Sequence, residues 1–311
     1  MISRRSFTAF LAGSVALAAL PAAAQAQSSL ERIKTSGVLR IGAVADGAPY
    51  YQKSVADGSW RGFYIDICKK LAGDLGVDLE ITETTWGNSV LELQADKLDV
   101  FFGLNPTPER EKVIDFSGPC FRNAFSLVVD EDEQRAAWED FNNPETRIAV
   151  DAGSSHDSAV TRHCPDAQIV RLKSQSDATA SVQAGRADAQ CLVLILALTL
   201  VSKNKNIGKV VIPSPGDATT SNAGFRREED PAWKDFVTGW IEEQRQSGFV
   251  RKAIIDNMAL LGVTEEDFLK VSTFDLNADR RCAGPEGRSS CTNGISASFG
   301  HTAGCFLTAS S

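Results

Sequence analysis

The chain is short of histidine, of basic charge and of long apolar runs, and each shortage argues against a class of function. Only three histidines occur, His156, His163 and His301, and the seven cysteines include no C-x-x-C pair. A zinc site needs several such ligands at close spacing, so no metal and no cofactor is expected. Acids outnumber bases, 40 to 32, for a net charge of −8. Nucleic-acid affinity rests on clustered Lys and Arg, so no nucleic-acid partner is expected. Beyond the amino terminus no apolar run approaches the ~20 residues that cross a bilayer. The stretch from Cys191 to Val201 is about half that length.

The amino terminus reads as an export signal. Ser3-Arg4-Arg5-Ser6-Phe7 precedes an apolar run from Ala9 to Leu20, and Ala24-Gln25-Ala26 supplies a small-residue cleavage site. A basic head, a short hydrophobic middle and small residues at the cut make residues 1–26 a signal peptide, not a spanning helix. The paired arginines fit the twin-arginine route; ordinary Sec signals also carry two bases, so the route stays open. No cysteine sits at the cleavage site, so no lipid anchor is expected, and the mature protein belongs in the periplasm. That compartment is oxidising, which raises the question of disulfides. Cys164 and Cys191 admit a bridge, but buried free thiols are the stronger reading. Cys282, Cys291 and Cys305 admit pairing among themselves.

What is present is an alternation of strands and helices. Val38–Val44 reads as an apolar strand, 63–75 as a helix closed by Gly76, and 79–85 as a strand. A helix over 90–94 and a strand over 98–103 follow. The same grammar then repeats: strand 147–150, helix 156–163, strand 168–172, helix 178–184, strand 189–196. Such alternation implies a parallel sheet with helices on both faces. Two α/β units in one chain imply a cleft between them, where the carboxyl ends of strands from both halves reach a ligand.

The most informative segment is Asp99–Pro119, DVFFGLNPTPEREKVIDFSGP. A strand ends at Phe102, and Gly103 permits close approach to the backbone. Thr107 suits an N-cap and Pro108 the first helical position. Backbone N–H groups at such a helix start favour an anion, and Arg110 adds a planar fork suited to a carboxylate. The plain alternative is a capped surface helix with Arg110 paired to Glu109 or Asp115.

Together with Gly62-Phe63-Tyr64-Ile65-Asp66 and Asp115-Phe116-Ser117-Gly118-Pro119, this segment resembles the polar amino acid binding proteins of ABC importers, the extracellular solute-binding protein family 3. The likeness runs from about Leu30 to Val271. It implies the α/β type II periplasmic binding fold, two lobes joined by two hinge crossings near 121–125 and 222–225. Lobe 1 is then residues 29–122 plus 224–273, and lobe 2 residues 123–223, with helices over 233–245 and 248–258 packed back on lobe 1. The implied function is a monomeric receptor that binds a small carboxylate-bearing solute between the lobes and delivers it to the membrane permease of an ABC importer. The resemblance assigns the carboxylate to Gly103, Asn105 and Arg110, a stacking wall to Trp86, and second-lobe contacts to Ser154 and Ser155.

One part of the family pattern is missing. The aspartate that holds the ligand's ammonium, five residues after the R-A-D-A aspartate Asp188, is here Val193. The usual Asp and aromatic near the first strand are Val44 and Gly47. Either another acid, Asp46 or Asp151, supplies the charge, or the ligand has no α-amino group. Asp188 itself is expected to serve strand and hinge. No catalytic residue is expected, although a periplasmic cyclohexadienyl dehydratase-like enzyme on the same fold is the alternative. The Gly-, Ser- and Cys-rich stretch 274–311 lacks periodicity and reads as disordered; a redox or sensory accessory role would fit that stretch alone.

Overall fold

The computed structural model describes residues 27–264 and 266. The expected signal peptide, residues 1–26, and the stretch 274–311, with its three cysteines, lie outside the described residues.

Helix α1 (Ser29–Ser36) leads into strand β1 (Val38–Val44), whose β-branched and apolar residues suit a buried position. A short hairpin, β2 (Gln52–Lys53) and β3 (Trp60–Arg61), precedes α2 (Phe63–Leu75). That helix buries Phe63, Tyr64, Ile67, Cys68 and Leu71, spaced at three and four residues as one helix face requires. Strand β4 (Asp78–Thr84) then runs parallel to β1, in register from Val38 opposite Asp78 to Val44 opposite Thr84. Helix α3 (Asn88–Gln94) returns the chain to β5 (Phe101–Leu104), and a bridge between Ile41 and Val100 sets the approach to β5 beside β1.

After α4 (Pro108–Glu111), one turn long, comes β6 (Ile114–Val129), a strand of 16 residues that serves both lobes. The second lobe follows as α5 (Trp138–Phe141), β7 (Arg147–Asp151), α6 (Ser155–His163), β8 (Gln168–Leu172), α7 (Gln175–Gln183), β9 (Ala189–Val193), α8 (Leu194–Lys203) and β10 (Lys209–Val211). The chain returns through β11 (Ala218–Arg226) to α9 (Ala232–Gln246) and α10 (Phe249–Ala259). Strands β6 and β11 are the two crossings. They pair antiparallel from Ile114 opposite Arg226 to Ala124 opposite Ala218, and from Phe125 onward β6 also pairs with β9. The continuous order is β5-β11-β6-β9-β7-β8, with β10 also on β6.

The β6–β11 register slips on both sides of Asn222. There the side chains replace ladder bonds: Asn222 Nδ2 donates to Ser117 O at 2.7 Å, and Ala223 N donates to Ser117 Oγ at 2.9 Å. Such bulges bend paired strands, which suits a pivot between lobes.

Two expectations need correction, the end of one strand and the hinge role of Asp188. The strand expected over 189–196 ends at Val193, and Leu194 opens α8, a helix the apolar run had concealed. Cys164 and Cys191 are buried free thiols, the stronger of the two readings of the sequence, and so are Cys68 and Cys120. Asp188 bonds Arg147, with Oδ1 2.6 Å from Nη2 and Oδ2 2.8 Å from the backbone N. It therefore ties the start of β7 to β9 and takes no part in the hinge strands. No helix of the described residues is long and apolar enough to cross a membrane.

Candidate ligand-binding site

The Asp99–Pro119 segment folds so that its arginine turns inward. Gly103 sits at φ +92°, a backbone state that side chains rarely adopt. A Cβ built there would come within 3.0 Å of the Tyr64 ring and 3.2 Å of Trp86. Thr107 caps the short helix, its Oγ1 accepting from Arg110 N at 3.3 Å. With Pro108 in the first turn, α4 starts where the sequence suggests. It stops after four residues, so the expected anion pull of its dipole is slight. The side chain of Arg110 is what matters here, and it is 6% exposed.

Arg110 pairs with neither Glu109 nor Asp115. Asp115 faces Arg227 and Lys234 instead. Among the described residues no carboxylate lies in ion-pair range of the Arg110 guanidinium. Nη1 donates to Asn105 O at 3.2 Å, and Nη2 donates to Trp86 O at 3.1 Å and to Gly153 O, in the second lobe, at 3.4 Å. Burial pushes its pKa down to about 10 against the opposing charges of Asp151 and Glu109, so it stays cationic at neutral pH. A buried cation satisfied only by neutral carbonyls is a strong attractor for an anion.

Around it lies a nearly closed crevice of about 10 Å³, room for about one water molecule, lined by Gly103, Asn105, Trp86 and Arg110 from the first lobe. Ser155, His156, Val193 and Leu196 line it from the second, and Tyr50 completes the wall. Thus Gly103, Asn105, Arg110, Trp86, Ser155 and Val193 come together, whereas Ser154 does not line the crevice. Ser154 is the N-cap of α6, its Oγ accepting from Asp157 N at 3.2 Å. The hydroxyl that enters the crevice belongs to Ser155, which donates to Asn105 Oδ1 at 2.6 Å. Asn105 Nδ2 in turn donates to Thr220 O at 2.8 Å, so this one amide joins β5, the return crossing and α6.

The apolar floor is aromatic. Tyr50 stacks on Tyr64 at 5.4 Å and meets Trp86 edge-on at 5.6 Å. Tyr50 Oη accepts from Asn123 Nδ2 at 3.1 Å, and burial raises its pKa well above the usual tyrosine range. Trp86 Nε1 is buried without a partner.

Tyr50, His156 and Leu196 were not singled out as ligand contacts by sequence reasoning. His156 held a signal, for it follows Ser155 in the first turn of α6. Its Nδ1 lies 3.0 Å from Asp151 Oδ1, both groups are buried, and its Nε2 has no partner. Of the two acids suggested for the missing charge, Asp46 is occupied elsewhere, accepting from Ser176 N at 2.7 Å, and Asp151 stands behind His156. Among the described residues no group of three or more His, Cys, Asp and Glu is placed to hold a metal ion.

Residues 39–255 match the model of the bacterial extracellular solute-binding proteins, family 3. The chain is 26% identical over 253 residues to cyclohexadienyl dehydratase of Pseudomonas aeruginosa, covering 80% of this chain and 93% of that one. It is 25% identical to a probable amino-acid ABC transporter-binding protein of Haemophilus influenzae, covering 80% and 94%. Among solved structures, an ancestral amino acid-binding protein described as a precursor of cyclohexadienyl dehydratase superposes with a TM-score of 0.66 at 31% identity, covering 73% of this chain and 97% of that one. A mutant of ArgBP from T. maritima gives 0.67 at 29%, covering 74% and 99%. The chain belongs to the bacterial extracellular solute-binding proteins, family 3, and has their type II periplasmic binding fold.

Proposed function

We propose that this protein is a periplasmic receptor whose lobes close on a small carboxylate-bearing solute, an amino acid or a related organic acid, and that the closed form delivers it to the permease of an ABC importer. The observation that carries the reading is Arg110, a buried guanidinium without a carboxylate partner, placed where both lobes meet. A ligand carboxylate there gains a bidentate cation and takes up what the backbone carbonyls only partly supply. Ser155 and the N-terminal end of α6 approach from the other lobe, so one ligand bonds both halves and favours closure. Asn105 and Gly103 shape the anion end, and Trp86 and Tyr50 wall the side-chain end.

Closure of the lobes, followed by docking, needs no covalent step, and we assign no catalytic residue. In this reading the acting form is the monomer. One observation favours a second reading: the buried Asp151–His156 pair is the kind of titratable couple that a dehydratase on this fold would employ. A thermal-shift screen of the mature protein against amino acids, 2-oxo acids, small dicarboxylates and cyclohexadienyl acids tests both. The receptor reading expects stoichiometric binding with the ligand recovered unchanged. Turnover of any of them would move the function to the enzyme.

A further inference from the structure

We infer that Asp46 is an interlobe clasp: its carboxylate caps the amino terminus of α7 in the facing lobe and holds the lobes closed through a contact in which the solute takes no part. Asp46 stands in the turn after β1, on the first lobe, and Ser176 in the first turn of α7, on the second. Asp46 Oδ2 accepts from Ser176 N at 2.7 Å, and Asp46 O accepts from Gln175 Nε2 at 3.4 Å. None of these three residues lines the crevice around Arg110. The clasp concerns the hinge motion alone and serves a receptor or an enzyme equally, so its failure would leave the receptor reading standing.

The first backbone N–H groups of a helix have no partner within it and form its positive end, so a carboxylate there satisfies a donor in a favourable field. In α7 the hydroxyl of Ser174 already accepts from Asp177 N, at 3.1 Å, and the Ser176 N–H is left for a partner from outside. Asp46 is that partner, a second cap supplied by the other lobe. Both sides are mounted on their own lobe. The Asp46 turn is pinned by Gly47 N on Val44 O at 3.3 Å, Tyr51 N on Gly47 O at 3.1 Å and Lys53 N on Ala45 O at 3.0 Å. Across the gap Gln175 is buried, and its carbonyl accepts from Gln190 Nε2, on β9, at 3.2 Å. The bond between the two mounts therefore resists separation of the lobes as bodies. The interlobe bonds at the crevice differ in kind, for Ser155 on Asn105 and Arg110 on Gly153 O use groups that a solute would engage. Asp46 competes with no solute. It biases the hinge toward closure and leaves the choice of solute to the crevice.

The test uses the mature protein with no solute added, read by amide hydrogen exchange and small-angle scattering. The Ser176 amide has no partner inside α7, so its protection measures how often the clasp is made. In wild type it should exchange at least about tenfold more slowly than in an unstructured peptide. Asp46→Ala should bring it to within about threefold of the free rate and enlarge the radius of gyration. Asp46→Asn, whose amide oxygen still accepts, should fall between the two. Ser176→Pro removes the same bond from the other side, since proline is tolerated in the first helical turn and lacks the N–H. It should enlarge the radius as Asp46→Ala does, and the double variant should add nothing further. Ser176→Ala keeps the N–H and should match wild type; circular dichroism establishes that every variant folds. A Ser176 amide that exchanges freely in wild type would overturn the inference. So would a radius unchanged by Asp46→Ala, because the bond would then form without holding the lobes, and so would additive effects in the double variant.

Discussion

Ser155 and Asn105, fifty positions apart, meet at 2.6 Å across the two lobes, hydroxyl donating to amide oxygen. The bond links the first turn of α6 to the end of β5, and the same amide reaches the return crossing at Thr220 O. Three independent pieces of chain are thereby read by a single side chain. Lobe closure and pocket shape are coupled at this point, since neither partner can move without releasing the other.

Asn105→Ala should therefore loosen closure more than it loosens the fold. It leaves the Ser155 hydroxyl and the Thr220 carbonyl without their partner, and two such bonds are each worth about 0.5–1.5 kcal/mol. Ligand affinity should fall roughly tenfold with little change in melting temperature, because β5 keeps its ladder bonds to β11. Parallel titration and thermal unfolding check this. A large drop in melting temperature would mean that Asn105 supports the first lobe itself.

Arg110→Ala should cost about 2–4 kcal/mol of binding, as truncating one partner of a desolvated charge pair typically does. Its burial and its charge at neutral pH make it the strongest anion attractor in the crevice. Affinity for a carboxylate ligand measured by titration decides the matter, and an unchanged value would place the site elsewhere.

How far the residues foretold this arrangement depends on what each one bonds to. Val38–Val44, 63–75 and 168–172 were legible at their bounds because branched or helix-periodic runs end there at clear breaks. The strand-to-helix change at Val193–Leu194 was not legible. CLVLILALTLV is apolar throughout, so neither a period of two nor one of 3.6 stands out. The inward turn of Arg110 was only half visible. Its chemistry shows in the sequence, but its partners are carbonyls of Trp86, Asn105 and Gly153, and backbone carbonyls carry no residue-type signature. His156 was visible as a residue and obscure as a role, since the carboxylate that orients it lies five positions earlier, on a strand.

Gly87 offers a way to perturb closure alone. Its backbone is right-handed helical, φ −76° and ψ −47°, so alanine fits it without strain. A Cβ there, however, would come 2.7 Å from Ala152 O, which belongs to the facing lobe. Gly87→Ala should thus keep the fold and hold the lobes apart. Small-angle scattering with saturating ligand should give a larger radius of gyration than wild type, and affinity should drop by about tenfold or more, since overpacking costs typically ~1–3 kcal/mol. Wild-type compaction on ligand addition would show that the lobes tolerate the extra methyl.

Asp188 supplies a prediction about acid. Desolvation raises its carboxyl pKa, but the hydrogen bonds and charge of Arg147 outweigh that and hold it below its ordinary value of 3.8. A carboxyl depressed in the folded state adds stability that is fully present above the unfolded pKa and is lost as pH falls through the folded one. The window therefore opens at 3.8 and extends downward. Asp188→Asn should lower the urea midpoint modestly at neutral pH, because the pair is partly solvent-exposed and screened. Below 3.8 the wild type should lose its advantage and the two curves converge. A gap of constant size from neutral to strongly acidic pH would instead assign the effect to the packing of β7 against β9, with no share for the charge on Asp188.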